Sequence, residues 1–154
     1  CSSPLLRARQ TSDVVSSETG LPVRCTDRLL EVDLGDLDGR AWSDGRPWEA
    51  YETVRQAWEG GCEDTPLPGG ESLSEVRERL YPLLTDPDFE HAAGVLLVGH
   101  GVLFMSLLWL FCPNRAPTLQ GNYMQGGHLT RLAPEKAGWR IEEFNVPPPG
   151  HHTG

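Results

Sequence analysis

Residues 94–98, Gly-Val-Leu-Leu-Val, form a continuous apolar run that ends at Gly99-His100-Gly101, and the ten residues that follow contain one serine and otherwise only apolar or aromatic side chains. A strand without alternation is the kind covered on both faces in an α/β sheet. A helix with hardly a polar position must be packed nearly all round. Together the two elements ask for layers on either side of a sheet. The expected class is therefore α/β, with a three-layer, mostly parallel central sheet and helices on both faces.

Strand, glycine-bearing corner and helix recur along the chain. Ser3-Pro4 reads as an N-cap followed by proline at the first helical position, where a missing N–H costs nothing, and predicts a helix running to about Glu18 and stopping at Gly20. Residues 21–25 read as a short strand and 27–42 as a loop punctuated by Gly35 and Gly39. Tyr51, Val54 and Trp58 give 48–58 a helical spacing. Residues 60–70 hold prolines and glycines in the manner of a lid or a domain-edge excursion. Ser72-Leu-Ser-Glu75 is a capping box ahead of a helix whose apolar face is Leu73, Val76, Leu80 and Leu84, with Pro82 expected to kink or shorten it. Two further strands are expected at 127–132 and 139–144, around a turn at 135–138. Nothing marks an internal boundary, so 1–146 reads as one domain and PPPGHHTG at 147–154, with His151 and His152, as a flexible tail.

A formal charge of −9 over 154 residues repels phosphate backbones and excludes a broad nucleic-acid surface. A small anionic ligand stays open, because a few arginines in a cleft set the local potential. Cys1, Cys25, Cys62 and Cys112 show no CxxC and no alternation with histidine, which points to reduced thiols, no metal and no cofactor, although an even count leaves a disulfide possible. The run 102–111 is about half of what a bilayer span requires. It marks either a core helix or the interface of a homo-oligomer. With no basic-then-apolar leader at Cys-Ser-Ser-Pro, the expectation is a cytoplasmic chain without membrane partners.

Three residues stand where chemistry is expected. His100 lies just past the C-terminal end of a strand, where open α/β sheets bind ligands. Arg7 sits one turn inside the first helix and can turn its fork back toward an anion at the helix mouth, whereas Arg9 falls on another face. Glu31 leads a glycine-bearing loop with Asp33, Asp36 and Asp38 as rival carboxylates. Trp42, Trp48 and Trp58 are candidates to cover an apolar or sugar-like leaving group, or simply to pack.

In chain order, SSPLLRARQT at 2–11, LLEVDLGDLDG at 29–39, GESLSEVRERL at 70–80 and VLLVGHG at 95–101 resemble the histidine phosphatase superfamily, whose fold is shared by phosphoglycerate mutases and many phosphomonoesterases. The resemblance, nearest the compact phosphatase branch, implies a phosphoglycerate mutase-like fold lacking its first strand and helix. It implies Arg7 and His100 as phosphate-binding groups, His100 and Glu31 as catalytic, Glu31 being the proton donor to the leaving oxygen, and Ser3 and Glu71 as supporting residues. Arg79 is expected to form a structural ion pair. The family's opening Arg-His-Gly, with its nucleophilic histidine, is not found in these residues. The reading is thus metal-independent hydrolysis of a small-molecule phosphate monoester through a phosphohistidine, requiring a histidine from a segment ahead of Cys1 or on a second chain, this stretch alone being inactive. The alternatives are phosphoglycerate mutase-like phosphoryl transfer and a noncatalytic phosphate-binding or scaffolding pseudoenzyme.

Overall fold

The computed structural model describes residues 1–41, 45–136 and 138–148, and at 46, 47, 90 and 91 the backbone only. Trp42, His151 and His152, and most of the expected tail, lie outside the described residues. Five α-helices, α1 (Leu6–Thr19), α2 (Arg46–Glu59), α3 (Leu73–Leu84), α4 (Pro87–His91) and α5 (Gly101–Phe111), precede strands β1 (Leu129–Glu135) and β2 (Gly138–Val146). The chain forms two compact units, Cys1–Leu103 and Phe104–Gly154.

Local signals place the helices of the first unit. Helix α1 ends as expected at Gly20, whose φ of 71° lets its N–H turn back to the Ser16 carbonyl. Its start is later than Ser3-Pro4 predicts, because Leu5 is still extended and the Ser3 N–H is given to the Val98 carbonyl at 2.9 Å. In α2 the spacing holds, with Tyr51, Val54 and Trp58 all buried, and Trp58 donates its indole N–H to the Thr65 carbonyl at 2.7 Å. That indole is packed and satisfied inside the unit, not presented to a ligand. The capping box of α3 is complete: Ser72 Oγ accepts from the Glu75 N–H and Glu75 Oε2 from the Ser72 N–H, a pair contributing about 1 kcal/mol. Its buried stripe is Leu73, Val76, Leu80 and Leu83, and not Leu84. Pro82 does not shorten the helix, because it falls so near the C-terminus that little remains to break.

The expected three-layer, mostly parallel sheet is not formed. The described structure is mostly helical, and its one regular sheet is the antiparallel pair β1–β2. Three extended segments do converge in parallel, but only through single bridges, Ser2 with Cys25 on one side and Ser2 with Val98 on the other. Cys1–Ser3 supplies the whole middle of this arrangement. Proline at position 4 has no N–H, and α1 follows directly, so neither bridge grows into a ladder. The apolar residues expected between two layers are correspondingly open, with Val95 38% and Leu96 42% exposed.

The all-round burial expected of α5 does hold: Leu103, Met105, Leu107, Leu108 and Trp109 are all buried. In the second unit β1 and β2 pair as a hairpin, Leu132 opposite Ile141 and Ala133 opposite Arg140. The amide side chain of Asn114 brackets Ile141 from the open edge, donating to its carbonyl and accepting from its N–H, each at 2.9 Å. Cys1, Cys25, Cys62 and Cys112 are unpaired thiols. No described helix is long and apolar enough to cross a membrane.

Candidate phosphate site

All the residues singled out for chemistry belong to the first unit. Ser3 and the Gly99-His100-Gly101 corner meet where the extended segments bridge, and this brings the first turn of α1 alongside His100. Arg7 Nε donates to His100 Nδ1 at 3.1 Å, and His100 Nε2 lies 2.8 Å from Ser3 Oγ. A guanidinium only donates, so Nδ1 must accept, and the neutral ring carries its proton on Nε2 and donates it to Ser3. The ring is buried and its pKa falls to about 4, first through desolvation and then through the Arg7 and Arg79 charges. At neutral pH His100 is an uncharged imidazole of fixed tautomer.

Arg7 is exposed, and among the described residues its terminal Nη nitrogens make no hydrogen bond or ion pair. One edge of the guanidinium is tied to His100 and the other is left for a ligand. Such a fork fits the bidentate geometry of a phosphoryl group.

Glu31 approaches from the loop before α2. Its Oε1 accepts from the Leu103 N–H at 2.8 Å and from the Val32 N–H at 3.0 Å, while Oε2 has only a long contact of 3.4 Å to the Val102 N–H. The carboxyl therefore seats on the N-terminus of α5, whose free N–H groups favour the anion. Burial opposes this and prevails, so the pKa is raised despite the three backbone bonds and the Arg7 charge. Oε2, the weakly bonded oxygen, is the one free to carry a proton. Asp33, Asp36 and Asp38 are exposed, which removes the physical reason to prefer any of them as an acid.

Glu71 does not join Arg7 and His100. It pairs with Arg79, Oε1 to Nε at 2.7 Å and Oε2 to Nη2 at 2.9 Å, and its Oε2 also accepts the Asp33 N–H at 2.8 Å. Ser3, expected to support the helix start, accepts the Leu5 N–H at 3.3 Å as well as the imidazole proton. The sequence reading did not find the seat of Glu31 on Val102 and Leu103; the glycine at position 101, opening α5, was its one available sign. A cavity of about 270 Å³ lined by Val15, Leu21, Val23, Phe89 and Val95, among others, includes none of Arg7, Glu31 or His100.

One expectation is corrected by this geometry. Function was expected to require a nucleophilic histidine from a segment ahead of Cys1 or on a second chain, yet a histidine already stands among these residues, His100, in contact with Arg7 and Ser3.

The site is thus an arginine fork beside a neutral imidazole, with a half-buried carboxyl that feels the Arg7 charge, and among the described residues no group of three or more His, Cys, Asp or Glu side chains is placed to hold a metal ion. The chain belongs to the histidine phosphatase superfamily (branch 1), which it matches over residues 1–147. It is 30% identical over 102 residues to a Salmonella paratyphi B protein named "Probable phosphoglycerate mutase GpmB", covering 66% of this chain and 46% of that one. A Hydrogenobacter thermophilus relative is 28% identical over 132 residues, 85% of this chain and 64% of its own length. The chain thus spans less than two thirds of these curated relatives. Among solved structures, a mycobacterial glucosyl-3-phosphoglycerate phosphatase in complex with VO3 superposes with a TM-score of 0.65 at 30% identity, covering 94% of this chain and 73% of that one.

Proposed function

We propose that this protein carries out metal-independent phosphoryl transfer of the phosphatase–mutase type on a small-molecule phosphate monoester, with His100 as its catalytic histidine. The observation that carries the reading is the Arg7–His100 contact, which leaves one guanidinium edge open beside a neutral, buried imidazole. In this reading residues 1–146 act as one functional domain. Arg7 clamps the phosphoryl oxygens, the Nε2–H of His100 is handed from Ser3 Oγ to one of them and stabilises the charge that develops there, and Glu31 protonates the leaving oxygen from Oε2. An alkoxide is a poor leaving group, which is why an acid with a raised pKa is useful at that place. Water as acceptor gives hydrolysis, in keeping with the mycobacterial phosphatase and the compact phosphatase branch. The Salmonella relative's name supports a second outcome, transfer between positions of a phosphoglycerate.

The test is release of phosphate from a chromogenic ester with a chelator present. Turnover should persist in chelator, and Arg7→Ala should lower kcat/KM on the order of 100-fold. Turnover abolished by chelation would end the metal-free reading, and an unaffected Arg7→Ala would end the assignment of the site. Supplying a phosphoglycerate and following isomer interconversion against phosphate release separates the two outcomes.

A further inference from the structure

Arg79 touches neither Arg7 nor His100 by any hydrogen bond, yet its guanidinium is completely used. Nε and Nη2 bind the two oxygens of Glu71 at 2.7 and 2.9 Å. Nη1 donates to the carbonyls of Arg28 at 2.8 Å and Leu30 at 3.0 Å, and Nη2 also points to the Glu31 carbonyl at 3.4 Å. Five N–H groups meet five acceptors, and three of those acceptors are backbone carbonyls of the stretch ending at Glu31. Glu71 grips the other side of the same stretch, accepting the Asp33 N–H through its side chain at 2.8 Å and giving its own N–H to the Asp33 carbonyl at 2.9 Å. The ion pair is partly shielded, with side-chain exposures of 20% and 21%. Residues 28–33 are therefore fastened on both sides of Glu31, to Arg79 of α3 and to Glu71 just before that helix, with the Glu31 carboxyl on the Leu103 N–H.

We infer that Arg79, braced by Glu71, is the positioning residue for Glu31, setting the loop backbone so that the carboxyl rests on the first turn of α5 with Oε2 turned free. The inference rests on the reading of Glu31 as the acid. Lysine cannot replace this group, having three donors on a point charge where five are used in a plane. A shift of about 1 Å at a reacting group is enough to cost on the order of 100-fold in rate. A purely architectural ion pair would lack this link, and its loss would weaken the unit without favouring one substrate over another.

Arg79→Lys is the first variant and Glu71→Gln the second, should the first fail to fold. Two readouts are followed in the full chain. Hydrogen exchange at the Leu103 amide, which Glu31 caps, should quicken on the order of 10-fold, while the Gly20 amide at the end of α1 is unchanged. The ratio of kcat/KM on an aryl phosphate to that on an alkyl phosphate should rise by about 10-fold, because only the poor leaving group needs a well-placed acid. Unaltered Leu103 exchange in both variants, or equal losses on both esters, overturns the positioning role. Glu31→Gln run in parallel separates the two claims. If it shows no leaving-group selectivity while Leu103 exchange still responds to Arg79→Lys, the acid reading fails and the brace on the Glu31 side chain stands.

Discussion

His100 is neutral because burial and two guanidinium charges, from Arg7 and Arg79, act in the same direction. Its ring resonances should therefore stay flat from pH 8 to about pH 5.5 and titrate below, and Arg7→Met should move that midpoint upward toward the ordinary 6.5. A ring that titrates near 6.5 in the intact protein would remove the neutral imidazole from the mechanism. The same shift has a stability sign. With a folded pKa of about 4 and an unfolded value of 6.5, the unfolded chain binds the extra proton between these limits. The contribution of His100 is present above pH 6.5 and is lost as pH falls toward 4. Glu31 runs the other way: its raised pKa gives a contribution present below 4.5 that is lost as pH rises through the folded value. Urea midpoints against pH for the wild type and Glu31→Gln should diverge in that upper window. Ser106 makes a simpler case. Its Oγ is fully buried without a hydrogen-bond partner among the described residues, so Ser106→Ala should leave stability unchanged or raise it by up to about 1 kcal/mol, read from the denaturation midpoint.

The loop that carries Glu31 is an element in its own right, held by close backbone contact as well as by Arg79. A Cβ on Gly70 would stand 2.2 Å from the Asp33 carbonyl oxygen, and Gly35, at φ +55°, faces the backbone of 68–70 at similarly short range. Between them the Asp36 N–H reaches the Pro68 carbonyl and the Glu71 N–H the Asp33 carbonyl, both at 2.9 Å. The end of the 60–70 stretch, read from sequence as a lid or a domain-edge excursion, is stitched to the Glu31 loop, with Leu67 buried. Gly70→Ala should cost about 1–3 kcal/mol by forcing the two backbones apart. Its thermal midpoint should fall well below that of Gly94→Ala, because a Cβ at Gly94 meets nothing within 4 Å on a backbone outside the left-handed region. These contacts also show what the sequence could disclose. Helices α1, α2 and α3 were legible because their signals are local, Gly20, the Tyr51–Val54–Trp58 stripe and the Ser72–Glu75 box, whereas the five-residue α4 was not foreseen. Arg7 and His100 could be singled out from their places at the corners of elements, and the structure brings the two into contact. The sheet was not legible, since an apolar run such as 94–98 announces a strand but not the number of partners that will extend its ladder. Of the Arg79 brace only an ion pair was expected; the backbone carbonyls it also grips lie 48 to 51 residues away along the chain.

At the scale of the whole molecule, charge and site oppose each other. The chain carries −9, yet the group proposed to meet the phosphate is the Arg7 cation. The two act over different distances. Screening lengths are about 30 Å in 0.01 M salt and about 8 Å at 0.15 M, so the field of the scattered carboxylates reaches an approaching dianion only at low salt, whereas a contact of hydrogen-bond length at Arg7 is little screened at either. Added salt should therefore help the encounter. Between these salt concentrations kcat/KM for a dianionic ester should rise about 2-fold or more, with kcat nearly constant, when the salt's anion does not itself compete for Arg7. The opposite slope belongs to a protein whose overall field draws its substrate in. Initial rates at fixed pH across the series decide the matter: a fall in kcat/KM would mean that the cationic pocket governs approach as well as binding, and that the carboxylates lie too far from the entry path to be felt.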